Sequence, residues 1–171
     1  LIIKDLENIY TSTTSLWDEF KNTQIFITGG TGFFGTWLLE SFIWANKELN
    51  LNNTIYVLTR NIEIYSKNFP HVYSDPRINF IKGDVRNFDF PKGEFPYIIH
   101  GATTSAKETY NNQDPLIKYD TIVNGTKHTL EFALKSNCKN FLYISSGATY
   151  GIQPKEILHI PESYLGAPNT I

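Results

Sequence analysis

Short apolar runs recur along this chain, and between them the apolar positions fall at helical spacing. Gln24 to Thr28 (QIFIT), Thr54 to Thr59 (TIYVLT), Ile78 to Lys82 (INFIK), Tyr97 to His100 (YIIH) and Asn140 to Ser145 (NFLYIS) read as strands. Phe33 to Asn46 reads as a helix with Phe34, Leu38, Phe42 and Ala45 on one side, and Leu116 to Lys135 as a longer one. The stretch between the second and third strands is polar and carries Pro70, Asp75 and Pro76, so any helix there is short. Residues 1–23 predict a helical extension with Leu6, Ile9, Leu16, Trp17 and Phe20 as its apolar positions, broken by the Thr/Ser cluster at 11–15. From Gly151 onward, Pro154, Pro161, Gly166 and Pro168 interrupt every regular pattern, and 151–171 reads as a loop. Nearly continuous apolar strands alternating with helices predict an α/β fold, a doubly wound parallel sheet covered on both faces.

Composition narrows the function more than the fold. A length of 171 residues suits one domain with a sizeable core, and 41% hydrophobic with 19% charged residues is ordinary for a globular chain. The formal charge of −2 argues against nucleic acid or an anionic membrane as partner. Cys138 is the single cysteine, so no internal disulfide forms, and the scattered His71, His128 and His159 predict no metal site. No run approaches the roughly 20 apolar residues of a membrane span. With no signal-peptide pattern at the start, a cytoplasmic location is expected.

The chemistry is announced at the first strand-to-helix turn. Thr28-Gly29-Gly30-Thr31-Gly32-Phe33-Phe34-Gly35 follows a predicted strand and opens a predicted helix. Gly29 suits the tight reversal, Gly32 lets a pyrophosphate approach the helix N-terminus, and Gly35 lets the helix pack closely on the strand. No Gly-Lys-Ser/Thr follows, which excludes a Walker-type phosphate loop. The turn therefore predicts a dinucleotide site, with 24–150 as the dinucleotide-binding domain.

The spacing Gly-x-x-Gly-x-x-Gly resembles that of the short-chain dehydrogenase/reductases. Gly83-Asp84-Val85-Arg86, His100-Gly101-Ala102-Thr103, Gly125-Thr126 and Ser145-Ser146-Gly147-Ala148-Thr149-Tyr150-Gly151 resemble, in order, motifs of its extended branch, the NAD-dependent epimerase/dehydratase family. The resemblance implies a Rossmann-type fold that binds NAD(P) through Gly29, Thr31, Gly32, Phe33, Phe34, Gly35, Arg60, Asp84, Val85, Gly101, Ala102, Thr103 and Ser145. Asp84 would accept from the adenine amino group. Thr104, Ser105, Ser146 and Gly147 would contact a nucleotide-sugar substrate. A homodimer through the long helix is expected of the full-length protein. Taken alone, Asp84 reads better as the cap of a turn than as a ligand contact, and His100 is assigned no chemistry.

Thr59-Arg60-Asn61 ends the second strand, where a carboxylate would bind the adenosine ribose. A guanidinium suits a phosphate, and no carboxylate is expected to oppose it, which tilts the expected cofactor toward NADP over NAD. The resemblance also implies catalysis by Ser146 with a Tyr-x-x-x-Lys pair. Tyr143, Tyr150 and Tyr164 are followed four residues later by Gly147, Pro154 and Pro168, so no such pair is present. The chain, which begins at Leu1, is expected to be a fragment that stops before its tyrosine and lysine and does not turn over substrate alone.

Gly147 and Ala148 follow Ser146 where the resembling 4,6-dehydratases carry acids, which favours epimerase or ketoreductase chemistry at a sugar ring carbon. Ile122 stands where the family often has an asparagine that positions the lysine. A nucleotide-sugar dehydratase or decarboxylase, a reductase of small non-sugar carbonyls and a non-catalytic NADP sensor remain as alternatives.

Overall fold

Strand residues in this chain are apolar on both sides, so each strand can supply two cores at once. In the computed structural model, which describes residues 3–104, 108, 110–111 and 114–167, the first four strands do so. Helix α1 (Ile3–Thr13) runs into a 3-10 segment (Thr14–Phe20). Then follow β1 (Gln24–Thr28), α2 (Phe33–Leu49), β2 (Thr54–Thr59), α3 (Ile62–Asn68), α4 (Pro70–Tyr73) and β3 (Ile78–Lys82). After β4 (Tyr97–His100) come α5 (Pro115–Lys135), β5 (Asn140–Tyr143) and a 3-10 turn (Gly147–Tyr150). The five strands pair in parallel in the order β3-β2-β1-β4-β5, with Ile25 level with Ile55 on one side and Tyr97 on the other.

Ile25, Ile27, Ile55, Val57 and Ile99 point to one face, where they pack with Leu39, Phe42 and Ala45 of α2, Tyr65 of α3 and Val72 of α4. Phe26, Leu58 and Ile98 point to the other and join Phe88, Phe95 and Phe132, the last from α5. The Phe26 and Phe132 ring centroids are 4.7 Å apart. Full burial of each such side chain contributes about 1.5–3 kcal/mol. These two cores are the doubly wound arrangement expected from the strand pattern.

The helices begin and end where local chemistry directs. Asp114 caps α5 by accepting from the Leu116 amide at 2.9 Å, and Pro115 occupies its first turn. Asn50, at φ 55°, ends α2. The side chains of Asn46 and Asn53 then hydrogen-bond and tie that end to the start of β2. At the end of α1 and the start of the 3-10 segment the hydroxyls of Thr11, Thr13 and Thr14 donate to carbonyls four residues back, and the helix tightens to 3-10 after Thr13. That change of pitch is the break expected from the Thr/Ser cluster. It turns Trp17 into the core, edge-on to Phe42 at 5.2 Å.

Two expectations change. Phe34 was expected on the apolar side of α2, yet it is 68% exposed, and the buried side runs through Leu39, Phe42, Ala45 and Asn46. Gly35 is the reason: it faces the glycine turn, and a residue one position earlier in a helix points about 100° away from it. The fifth strand ends at Tyr143 instead of Ser145. It is the outer strand of the sheet, and Leu142, Tyr143 and Ile144 are exposed.

Candidate functional site

The strand order reverses between β1 and β4, where the connections leave in opposite directions and open a crevice at the carboxyl ends of the strands. A cleft of about 410 Å³ occupies this position. The glycine turn forms its floor, Thr59, Arg60 and Asn61 one rim, Asp84 and Val85 the next, and Gly101 to Thr104 the far wall.

Backbone contact makes the glycine turn obligatory. Gly29 has φ +75°, and a Cβ added there would lie 2.5 Å from the Gly101 carbonyl group. A Cβ at Gly35 would lie 2.4 Å from the Gly29 oxygen. The first intrahelical bond of α2 runs from the Thr36 amide to the Gly32 carbonyl, at 2.9 Å. The amides ahead of it are the free donors of a helix N-terminus, suited to an anion.

The loop after β4 is fixed by a buried histidine. The Thr28 hydroxyl lies 3.2 Å from the amides of both Gly101 and Ala102 and accepts from them. With its lone pairs so engaged, its own proton points to His100 Nδ1, 2.8 Å away. His100 Nε2–H is left to donate to the Thr126 hydroxyl at 3.0 Å. A protonated ring would bring a second donor to an oxygen already accepting two. Burial also pulls the His100 pKa down to about 4, so the ring is neutral. Gly125 completes the join, because a Cβ there would press to 2.7 Å from Val85. His100 and Gly125-Thr126 thus hold the cleft's walls together.

Charges around the rim come in matched sets. Arg86 binds Asp84 through Nε and a terminal nitrogen, both at 2.9 Å, and Asp120 at 2.7 Å. The Arg86 guanidinium beside Asp84 holds its carboxyl below the usual carboxylate range, and Arg60 adds to the effect. Asp84 also accepts from the Arg86 amide, so it does cap a turn, as one sequence reading allowed. Lys82 meets Glu63 at 3.0 Å. Arg60 itself is opposed: Glu108, 48 positions later, receives two of its N–H groups at 3.1 and 3.4 Å. The premise that no carboxylate stands beside Arg60 therefore fails in three dimensions.

A dinucleotide fits this donor set. The Thr104 hydroxyl oxygen is buried against the cleft with no protein hydrogen-bond partner among the described residues, as a ligand-facing group would be. Nothing but the Gly29 carbonyl oxygen, at 3.3 Å, lies within 4 Å of where a Cβ at Gly32 would be.

Of the residues singled out from sequence, Gly29, Thr31, Gly32, Arg60, Asp84, Val85, Gly101, Ala102, Thr103 and Thr104 come together on the cleft. Gly35 packs beneath it. Phe33 and Phe34 lie at the start of α2, edge to face and mostly exposed, and do not line it. Ser145, Ser146 and Gly147 are exposed, also off the cleft, and the Ser146 hydroxyl accepts from the Ala148 amide at 3.2 Å. Ser105 lies outside the described residues. Sequence reading missed Tyr65 and Thr121, which line the cleft from helices at a distance in sequence. Burial raises the Tyr65 pKa, and its hydroxyl is near Thr36 at 3.3 Å. No described helix is long and apolar enough to cross a membrane.

Comparison with known proteins agrees with this geometry. The sequence profile described as "NAD dependent epimerase/dehydratase family" matches residues 25–170. The chain is 30% identical over 160 residues to a bifunctional UDP-glucose 4-epimerase and UDP-xylose 4-epimerase 1 of Pisum sativum, covering 87% of this chain and 43% of that protein. It is 28% identical over 130 residues to a UDP-glucose 4-epimerase of Rickettsia canadensis, covering 74% and 37%. The solved UDP-N-acetylglucosamine 4-epimerase of Methanobrevibacter ruminantium shares the fold, with a TM-score of 0.68 at 20% identity over 87% of this chain and 45% of that one. The chain spans less than half the length of these relatives. With the profile matching most of its length and the glycine turn, the Asp84 turn and the His100 loop converging on one cleft, the chain belongs to the NAD-dependent epimerase/dehydratase family.

Proposed function

We propose that this chain is the dinucleotide-binding portion of a nucleotide-sugar 4-epimerase, with residues 24–150 as the binding domain. The observation that carries the reading is the cleft, where glycine-turn backbone and the unpartnered Thr104 hydroxyl face one space at the switch point of the sheet. Bound there, the nicotinamide ring would take a hydride from a sugar carbon and return it. The Gly29–Gly35 turn and the α2 N-terminus would hold the pyrophosphate, and the Gly101–Thr104 loop would carry the inner ribose and nicotinamide.

NAD is the cofactor we propose in place of NADP. The family description supports it, and so does the carboxylate that opposes Arg60. The known relatives carry 4-epimerase names. The absence of acids after Ser146 also supports epimerisation over dehydration, because Gly147 and Ala148 can move no proton. In this reading Ser146 hydrogen-bonds the reacting sugar oxygen and works with a Tyr-x-x-x-Lys pair that this sequence does not contain. The full-length protein is proposed to dimerise through α5, whose Tyr119, Val123, Leu130 and Leu134 form an exposed stripe.

Calorimetric titration with NAD⁺ should give one site per chain. The natural full-length protein should interconvert UDP-glucose and UDP-galactose, while these 171 residues alone should not. Failure to bind NAD⁺ defeats the reading, and epimerisation by this chain alone defeats the assignment of catalysis to a missing pair.

A further inference from the structure

The adenosine rim of the cleft holds an arginine that the sequence presents as a phosphate receptor and the structure presents as already engaged. Arg60 lines the cleft directly after β2, the position whose side chain meets the adenosine ribose in folds of this kind. Glu108 reaches it from the segment after β4 and takes N–H groups from both terminal nitrogens, so the fork that would grip a phosphate grips a carboxylate. Among the described residues the surroundings add no spare positive charge. Asp84 faces the same cleft and feels Arg60, while Arg86 is shared between Asp84 and Asp120. Among the described residues two guanidinium groups thus stand against three carboxylates, a net of minus one. Neighbouring Lys82 is matched by Glu63.

We propose that Glu108 is a specificity-determining residue: through Arg60 it makes the cleft select NAD(H) and reject the 2′-phosphate of NADP(H). This rests on the reading of the cleft as a dinucleotide site. A 2′-phosphate brings close to two negative charges to the rim. It would have to displace Glu108 from Arg60 or sit beside it and Asp84, and like charges placed together are costly. A 2′-hydroxyl meets no such obstacle. The arrangement replaces the single acidic residue that usually ends the second strand with a pair drawn from two strands' connections, an arginine supplied by one and its neutralising carboxylate by the other.

The test is calorimetric titration of the protein with NAD⁺ and with NADP⁺, for wild type, Glu108→Gln, Glu108→Asp and the double variant Glu108→Gln/Arg60→Ala. Wild type should bind NAD⁺ more tightly. Glu108→Gln should lower the ratio of the NADP⁺ to the NAD⁺ dissociation constant by roughly tenfold, mainly by tightening NADP⁺. Glu108→Asp should restore part of the ratio, and removing Arg60 as well should abolish the gain for NADP⁺. A merely structural role for Glu108 would weaken both cofactors alike and leave the ratio fixed. An unchanged ratio in Glu108→Gln, or tighter NADP⁺ binding by wild type, overturns this inference while the dinucleotide site stands. Absence of binding by either cofactor overturns both.

Discussion

Two turns leave the carboxyl edge of the same sheet, one after β1 and one after β5, and they differ in how firmly the fold holds them. Around Gly29 the chain is locked by backbone: an added Cβ would meet Gly101 at 2.5 Å, and the loop it touches is pinned by Thr28 and His100. Around Gly147 an added Cβ would meet nothing within 4 Å among the described residues, and Ser146 beside it is exposed with its hydroxyl capping its own turn. The family's motifs are present in both places, but the first is locked at its own glycines, whereas the second is met only at its far end, where a Cβ at Gly151 would lie 2.2 Å from the Ala167 oxygen. A binding site made from backbone amides must be built to tenths of an ångström, and here its own strands supply that precision. Under the proposed function, the Ser146 hydroxyl would need a Tyr-x-x-x-Lys pair that this sequence does not contain.

The sharpest way to break the contrast is to make the same small change on the locked side. Gly29→Ala should destabilise the fold by more than about 2 kcal/mol, because the residue combines a positive φ with a backbone clash. NAD⁺ titration should lose its signal, and thermal unfolding should show the lowered stability. A stable variant that binds normally would mean that the contact between the two loops is soft.

The histidine beneath the cleft gives a second, pH-dependent reading of the same rigidity. His100 has a folded pKa of about 4 against an unfolded value near 6.5. Because the folded value is the lower one, the unfolded chain binds more protons between these limits. The neutral ring's contribution is therefore fully present above pH 6.5 and is lost as pH falls to about 4. The loss amounts to about 3 kcal/mol. The carboxyls of Asp75, Asp84 and Asp120 are all held below the usual range, so their own losses come at lower pH. Urea unfolding at pH 7 and pH 4.5 should resolve the difference, and His100→Gln should flatten it. An equal slope in that variant would assign the effect to other groups.

What was legible in the sequence follows the same division. The strands could be read because apolar residues on both faces leave little choice of element, and four of the five, β1 to β4, match to the residue. The glycine turn could be read because steric need fixes residue type at fixed spacing. Glu108 beside Arg60, Asp120 beside Arg86 and Thr121 on the cleft could not, since each joins positions that only the closed sheet brings near. Phe34 was misplaced for a local reason. Apolar spacing alone does not say which side of a helix's first turn meets the strand, whereas the contact at Gly35 does.

The smallest effects belong to the exposed turn, and they are the most informative about it. Gly147→Ala should change stability by no more than about 0.5 kcal/mol, since the new methyl group enters open space and the residue's backbone angles are not left-handed. Ser146→Ala removes the hydroxyl that caps a four-residue exposed turn and should cost at most about 1 kcal/mol. Neither should alter the NAD⁺ dissociation constant by as much as twofold. If the proposed epimerase function holds, Ser146→Ala in a longer protein that contains the Tyr-x-x-x-Lys pair should remove most of the epimerisation while leaving cofactor binding intact. A change in NAD⁺ affinity from either substitution in this chain would show that the β5 turn already reaches the cofactor, and the two turns would then form one site within these 171 residues.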